Sequence, residues 1–267
     1  MKSQFKNIIA AMAIAAVFVS CSNDDNDTAV AGTGQLKVEF DNSFVDNDLI
    51  LNNQSNTTSA NEVLKISLIK YIVSNIVLTK EDGTTFTYPK SDSYFIVDES
   101  NSSSLVLNLE NVPAANYTKV KFGIGVDKAQ FDLGATGQGD FLAEAQAADL
   151  LWSWSAGYKF LAFEGTFTSP TVAADTPFMV HTGQTGTDYN YTEITLDMPT
   201  KALVRTNITP QVHIIADLSK IIDGTNKIKL SDNNEGGMGA MIMGGPNLPL
   251  ITSNLNGMFS INHVHND

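Results

Sequence analysis

Apolar residues alternate with polar ones over short runs along most of the chain, the period of strands with one covered face. Leu36, Val38 and Phe40 are interleaved with Gln35, Lys37 and Glu39, and Leu64, Ile66 and Leu68 with Lys65, Ser67 and Ile69. Ile194, Leu196 and Met198 repeat the pattern against Glu193, Thr195 and Asp197. Asp82-Gly83, between Ile76–Thr79 and Thr84–Tyr88, predicts a hairpin, because glycine tolerates the positive φ of a tight turn. Further strands are predicted at 93–98, 105–109, 118–127, 158–168, 178–181, 204–208 and 212–217. The polar stretches 42–61, 129–140 and 169–175 are predicted as loops, the last broken by Pro170. Helical spacing occurs at 141–151 and for one turn at 218–222. With no βαβ alternation and no repeat, this predicts an all-β fold: an antiparallel β-sandwich with long loops and one or two short helices. In the strand 118–127, Val120, Phe122, Ile124 and Val126 share a face, while Gly123 and Gly125 strip side chains from the other, so something should approach that face closely.

The first residues depart from this pattern. Lys2 and Lys6 precede an unbroken apolar run, Ile8–Val19, then Ser20-Cys21, which is the layout of a secretory signal over 1–20 and too short to span a bilayer stably. Cys21 is the single cysteine, placed where bacterial lipoproteins are acylated, and one cysteine excludes internal disulfides. Residues 21–33, beginning Cys-Ser-Asn-Asp-Asp-Asn-Asp, are too polar to order themselves and are expected to tether a single domain, 34–267. These features place the protein on the outer membrane as a lipoprotein, facing the periplasm or the cell surface. The chain has 16 Lys+Arg against 29 Asp+Glu, and removing the signal takes away two lysines, leaving a net charge of −15. That balance argues against nucleic acid and anionic membrane surfaces, which require a basic footprint.

Both tryptophans lie two positions apart, in Leu151-Trp152-Ser153-Trp154-Ser155-Ala156-Gly157-Tyr158-Lys159-Phe160, and in an extended segment the two indoles share a face. The run Trp152-x-Trp154-x-x-Gly157-Tyr158-Lys159-Phe160 with Glu164-Gly165 resembles the central signature of the MbnP-like family, named for a copper-binding protein of methanobactin gene clusters. Lys70–Ile76, Phe122–Asp127 and the ending Asn262-His263-Val264-His265-Asn266-Asp267 resemble other parts of the same family, in family order. The resemblance implies a copper ion held by histidines and by kynurenine made from a tryptophan, here Trp152 or Trp154. It also implies a dihaem peroxidase of the MbnH/MauG type as the partner that performs the oxidation.

Four histidines are available: His181, His213, His263 and His265. His263-Val264-His265 is the most informative, since strand residues two apart face one side and both imidazoles could reach one ion. His181, before Thr182-Gly183 at a strand end, joins them as a candidate ligand. His213 faces opposite to Val212 and Ile214, so it is expected in solvent and ranks last. Imidazole suits copper, zinc, nickel and iron alike. Met238, Met241 and Met243 lie within six residues, and thioethers favour Cu(I), although such methionines also serve as adaptable filler. No Gly-x-Ser-x-Gly elbow, His-Glu-x-x-His or phosphate loop is present, so binding without turnover is expected. The leading expectation is a lipid-anchored copper-binding protein with the C-terminal imidazoles beside the indoles. The alternative is a surface adhesion or glycan-binding β-sandwich that uses Trp152, Trp154 and Tyr158 as a stacking platform.

Overall fold

In the computed structural model, which describes residues 30–267, the alternating stretches pair into two sheets. The signal segment and Cys21 lie outside the described residues. The principal strands are β1 (Thr33–Phe44), β2 (Val63–Lys80), β3 (Tyr94–Asp98), β4 (Val106–Pro113), β5 (Ala115–Ile124) and β6 (Leu151–Ser153). They continue with β7 (Gly157–Ser169), β8 (Val172–Thr185), β9 (Thr192–Val204), β10 (Pro210–Asp217), β11 (Ala240–Ile242) and β12 (Phe259–Asn266). The first sheet runs β12-β10-β1, with β4 on the far edge of β1; the second runs β8-β7-β2-β5-β9. Pairing is antiparallel apart from β1 with β10 and β8 with β11. The parallel β1–β10 pair joins strands far apart in sequence, so no tight turn dictates its direction.

Between the sheets lies the main core. Leu36, Val38, Phe40, Val212 and Ile214 of the first sheet meet Ile66, Tyr71, Phe122, Phe163 and Val180 of the second. Phe40, Phe122 and Phe259 pack edge to face, with centroids 5.3 to 6.1 Å apart. The other face of the second sheet is covered as well. Ile72, Val126, Leu150, Tyr158 and Phe160 form a smaller cluster there with Phe141 and Ala145 of the helix at Phe141–Ala147. β2 is therefore buried on both faces, which is why Tyr71-Ile72-Val73 is an unbroken apolar run.

Several local expectations change. β1 continues to Phe44, into the stretch predicted as loop, because buried Asn42 is satisfied there: it donates to Glu99 and accepts from the Tyr71 hydroxyl, each at 3.0 Å. Residues 170–171 form a tight turn between β7 and β8, with the Ser169 hydroxyl accepting from the backbone N–H of Thr171 and Val172. β8 is consequently much longer than residues 178–181. Four short α-helices occur among the described residues: α1 (Lys128–Phe131), α2 (Phe141–Ala147), α3 (Ser219–Asp223) and α4 (Asn247–Asn254). α2 and α3 fall where helical spacing predicts them. α1 is capped by Asp127, which accepts from the Gln130 N–H, and α4 follows Pro246. The glycine-stripped face of β5 is approached by aromatic rings. A Cβ on Gly123 would sit 2.0 Å from the Tyr191 hydroxyl, and one on Gly125, at φ +104°, 2.3 Å from the Phe160 ring.

Candidate metal sites

On β10, Val212 and Ile214 enter the core, so Gln211 and His213 take the opposite face of the sheet. Antiparallel register places His263 of β12 opposite His213, and His265 opposite Gln211. β12 requires one irregularity to do this. Phe259, Ile261, His263 and His265 are all odd-numbered, so an unbroken strand would put the imidazoles on the same side as Phe259, which is in the core. The register shifts between Ile261 and His263, leaving Asn262 as the extra residue of a β-bulge. That resets the alternation, so Ile261 and Val264 pack inward while both histidines turn outward.

The result is a cluster of three imidazoles, each offering a nitrogen within 4.8 Å of the others. His213 stacks on His263, with centroids 4.2 Å apart and planes 20° apart, and the Nε2 atoms of His263 and His265 are 3.0 Å apart. On the parallel neighbour β1, Glu39 lies opposite His213, its Oε2 2.7 Å from His213 Nδ1. A carboxylate only accepts, so Nδ1 carries the proton and Nε2 keeps its lone pair. Gln211 donates to the same Glu39 oxygen and lies 3.2 Å from His213 Nε2. Partial burial lowers the His213 pKa; Glu39 opposes this, and His263 and His265 add to the lowering.

His181 stands elsewhere. On β8, Val180 packs into the main core, so His181 faces away from it, on the outer side of the second sheet. It is 3% exposed, with Nε2 2.7 Å from Glu164 Oε1 of β7. Since the carboxylate again takes the Nε2 proton, Nδ1 bears a lone pair, and it is buried without a hydrogen-bond partner among the described residues. Burial lowers the His181 pKa, opposed by Glu164 and reinforced by Lys159, so the ring is neutral near pH 7. The indole of Trp152 lies 6.2 Å from the His181 ring and is seated against Gly183, where a Cβ would come within 2.8 Å of it. Trp152, Gln184, Thr185 and Met243 line a groove beside it, and Gln184 Oε1 and Thr185 Oγ1 are likewise buried and unpartnered.

The residues expected at a single site therefore lie in two separate places. The C-terminal imidazoles lie on the outer face of one sheet, and the indoles with His181 on the outer face of the other, the core between them. The two tryptophans also part company. β6 ends at Ser153, so Trp154 leaves the strand plane and packs on Phe131, with centroids 4.9 Å apart, while Trp152 stays over His181. The methionines do not act together: Met238 is 80% and Met241 48% exposed, and Met243 alone of the three lines the groove. His213, ranked last, completes the imidazole cluster; it does face away from the core, but so do the two rings beside it. The pairing of Glu39 with His213 and of Glu164 with His181 was not foreseen, because each carboxylate acts from a neighbouring strand. The stacking platform is not formed, since Tyr158 is 1% exposed and Trp154 is half-buried.

The MbnP family model matches residues 33–242, which include Trp152, Glu164, His181 and His213 and stop short of Met243, His263 and His265. Comparison with curated proteins finds no match. Among solved structures, MbnP from Methylosinus trichosporium aligns over 78% of this chain and 82% of its own, with 12% identity and a TM-score of 0.47. Because the family model covers well over half of the sequence, with three of the four signature segments and every principal strand except β12 inside the match, the chain belongs to the MbnP family.

Proposed function

We propose that this protein binds copper outside the cytoplasm, for acquisition, delivery or sequestration and without turnover, at His181 beside the groove lined by Trp152 and Met243. Family membership supports a copper-related extracytoplasmic role. The observation that carries the assignment is His181 Nδ1, a buried, unpartnered lone pair on a neutral imidazole whose other nitrogen is fixed by Glu164. Burying such a group costs about 1–3 kcal/mol, which a coordinated ion would offset. The carboxylate–imidazole pair is the arrangement that orients a metal-binding histidine. The thioether of Met243 at the same groove suits Cu(I).

In this reading Trp152 is the residue that a dihaem peroxidase partner converts to kynurenine, because it stands over the imidazole while Trp154 is packed on Phe131. Cu(I) titration against a chelating competitor tests the site. His181→Ala should weaken binding at least tenfold and Trp152→Phe should also weaken it, with circular dichroism confirming the fold of each. Affinities equal to wild type in both variants would refute the assignment. Intact-mass and peptide analysis of native protein should localise any oxidation to Trp152. The glycan-binding alternative finds no support in the geometry of its aromatic residues.

A further inference from the structure

The three-imidazole face of the first sheet takes no part in the copper groove and lies on the other side of the core. Three histidines brought together from two strands, with a carboxylate behind one of them, need a physical reason. They do not serve packing, since they stand outside the core cluster. The arrangement is that of a metal site. His213 has its Nδ1 proton committed to Glu39, which leaves Nε2 as the ligand atom, and an ion there would displace the Gln211 amide that lies 3.2 Å from it. His263 and His265 already point their Nε2 atoms to within 3.0 Å of each other. Two nitrogens bound to one tetrahedral ion with bonds of about 2.0–2.1 Å lie roughly 3.3 Å apart, so the cluster, within 4.8 Å throughout, needs only ring rotations to close. Those rotations must open the His213–His263 stack, whose nearly parallel planes cannot both aim at one ion.

We propose that His213, His263 and His265 form a second metal site, for a borderline divalent cation of the Zn(II) class, distinct from the groove beneath Trp152. The donor set narrows the choice to the borderline divalent ions that imidazole suits. Three neutral nitrogens without an oxygen cage do not suit Mg(II) or Ca(II), and the absence of sulfur among the three ligands disfavours Cu(I). Three protein ligands on a sheet face leave the fourth tetrahedral position to water or to a donor from another molecule, as in open zinc sites. The ion would bridge β10 to β12, fastening the last strand of the chain to the strand it pairs with. The Asn262 bulge is what delivers two of the three ligands to that face. Glu39 acts as a positioning residue, since it orients His213 without reaching the ion.

The test is a Zn(II) titration of the full-length protein after chelator stripping, read by calorimetry and by the ring-nitrogen NMR shifts of the histidines. Wild type should bind one Zn(II) at this face, shift the signals of His213, His263 and His265 together, and melt at a higher temperature with the ion than without it. His263→Ala/His265→Ala and His213→Gln should each weaken that binding by at least 100-fold. Glu39→Gln should weaken it about 10- to 100-fold while leaving the three ligands in place. Zn(II) affinity unchanged in the double variant, or a folded wild type that binds no Zn(II), would overturn the proposal. The copper groove is tested with Cu(I) on other residues, so either site can fail without the other.

Discussion

Single residues in this protein are held chiefly by what the neighbouring strand supplies. Asp127 is the clearest case away from the metal sites. Its carboxylate accepts from Lys90, from Asn75 Nδ2 at 2.9 Å, from the Tyr94 hydroxyl at 3.0 Å and from the Gln130 N–H at 3.1 Å. Burial pushes its pKa up, but the hydrogen bonds from Lys90, Asn75, Gln130 and Tyr94 outweigh it and hold the carboxyl at about 2. Because the folded pKa lies below the unfolded one, the stabilisation is present above about pH 4 and is lost as pH falls toward 2. Asp127→Asn should cost about 1–3 kcal/mol near neutrality, and its deficit should shrink as the pH falls from 5 to 2. Calorimetric melts of both proteins across that range check this; a deficit independent of pH would show that the charge plays no part. The acid at 127 stands in the sequence at the end of the Phe122–Asp127 segment, but with 129–140 predicted as loop its role as the cap of α1 was not legible. Nor were its partners at 75, 90 and 94, because they come from other segments.

At the scale of elements, alternation located most strands and even the outward face of His213, but it carried no information on which strand lies beside which. Glu39 and His213 are 174 positions apart and meet only through the parallel β1–β10 register. Likewise Glu164 and His181 meet across β7–β8. The bulge in β12 was illegible for a different reason. Four odd-numbered positions look like one continuous face, and only the burial of Phe259 beside outward histidines reveals the change of phase. Deleting Asn262 should restore the unbroken period. Either the imidazoles then turn inward or Phe259 leaves the core, which should cost about 3 kcal/mol or more. Denaturant unfolding would measure the loss; a deletion variant as stable as wild type would show that the bulge does not set the phase of β12.

For the whole molecule, the sequence conveyed the fold class and the family more readily than the site. The signature segments are scattered over both sheets, and what they share is the scaffold: aromatic packing around Tyr158 and Phe160, glycines yielding to rings, and the paired outer faces. Its expected single site failed because both halves carried histidines, and linear order cannot say on which side of a sandwich each half ends. Cys21 and most of the expected tether lie outside the described residues, though its last residue, Thr33, already opens β1, and among the described residues no helix is long and apolar enough to cross a membrane. Attachment through a lipid at Cys21 is proposed from the sequence alone. Cys21→Ala should move the protein from the membrane fraction to the soluble fraction; equal membrane association would remove the lipid anchor from the account.

The most direct trial of the copper assignment is crystallographic. Crystals soaked with Cu(I) under reducing conditions and measured at the copper absorption edge should give an anomalous peak within bonding distance of His181 Nδ1, under the Trp152 ring. A peak confined to His213, His263 and His265, or no peak on the protein at all, would contradict it.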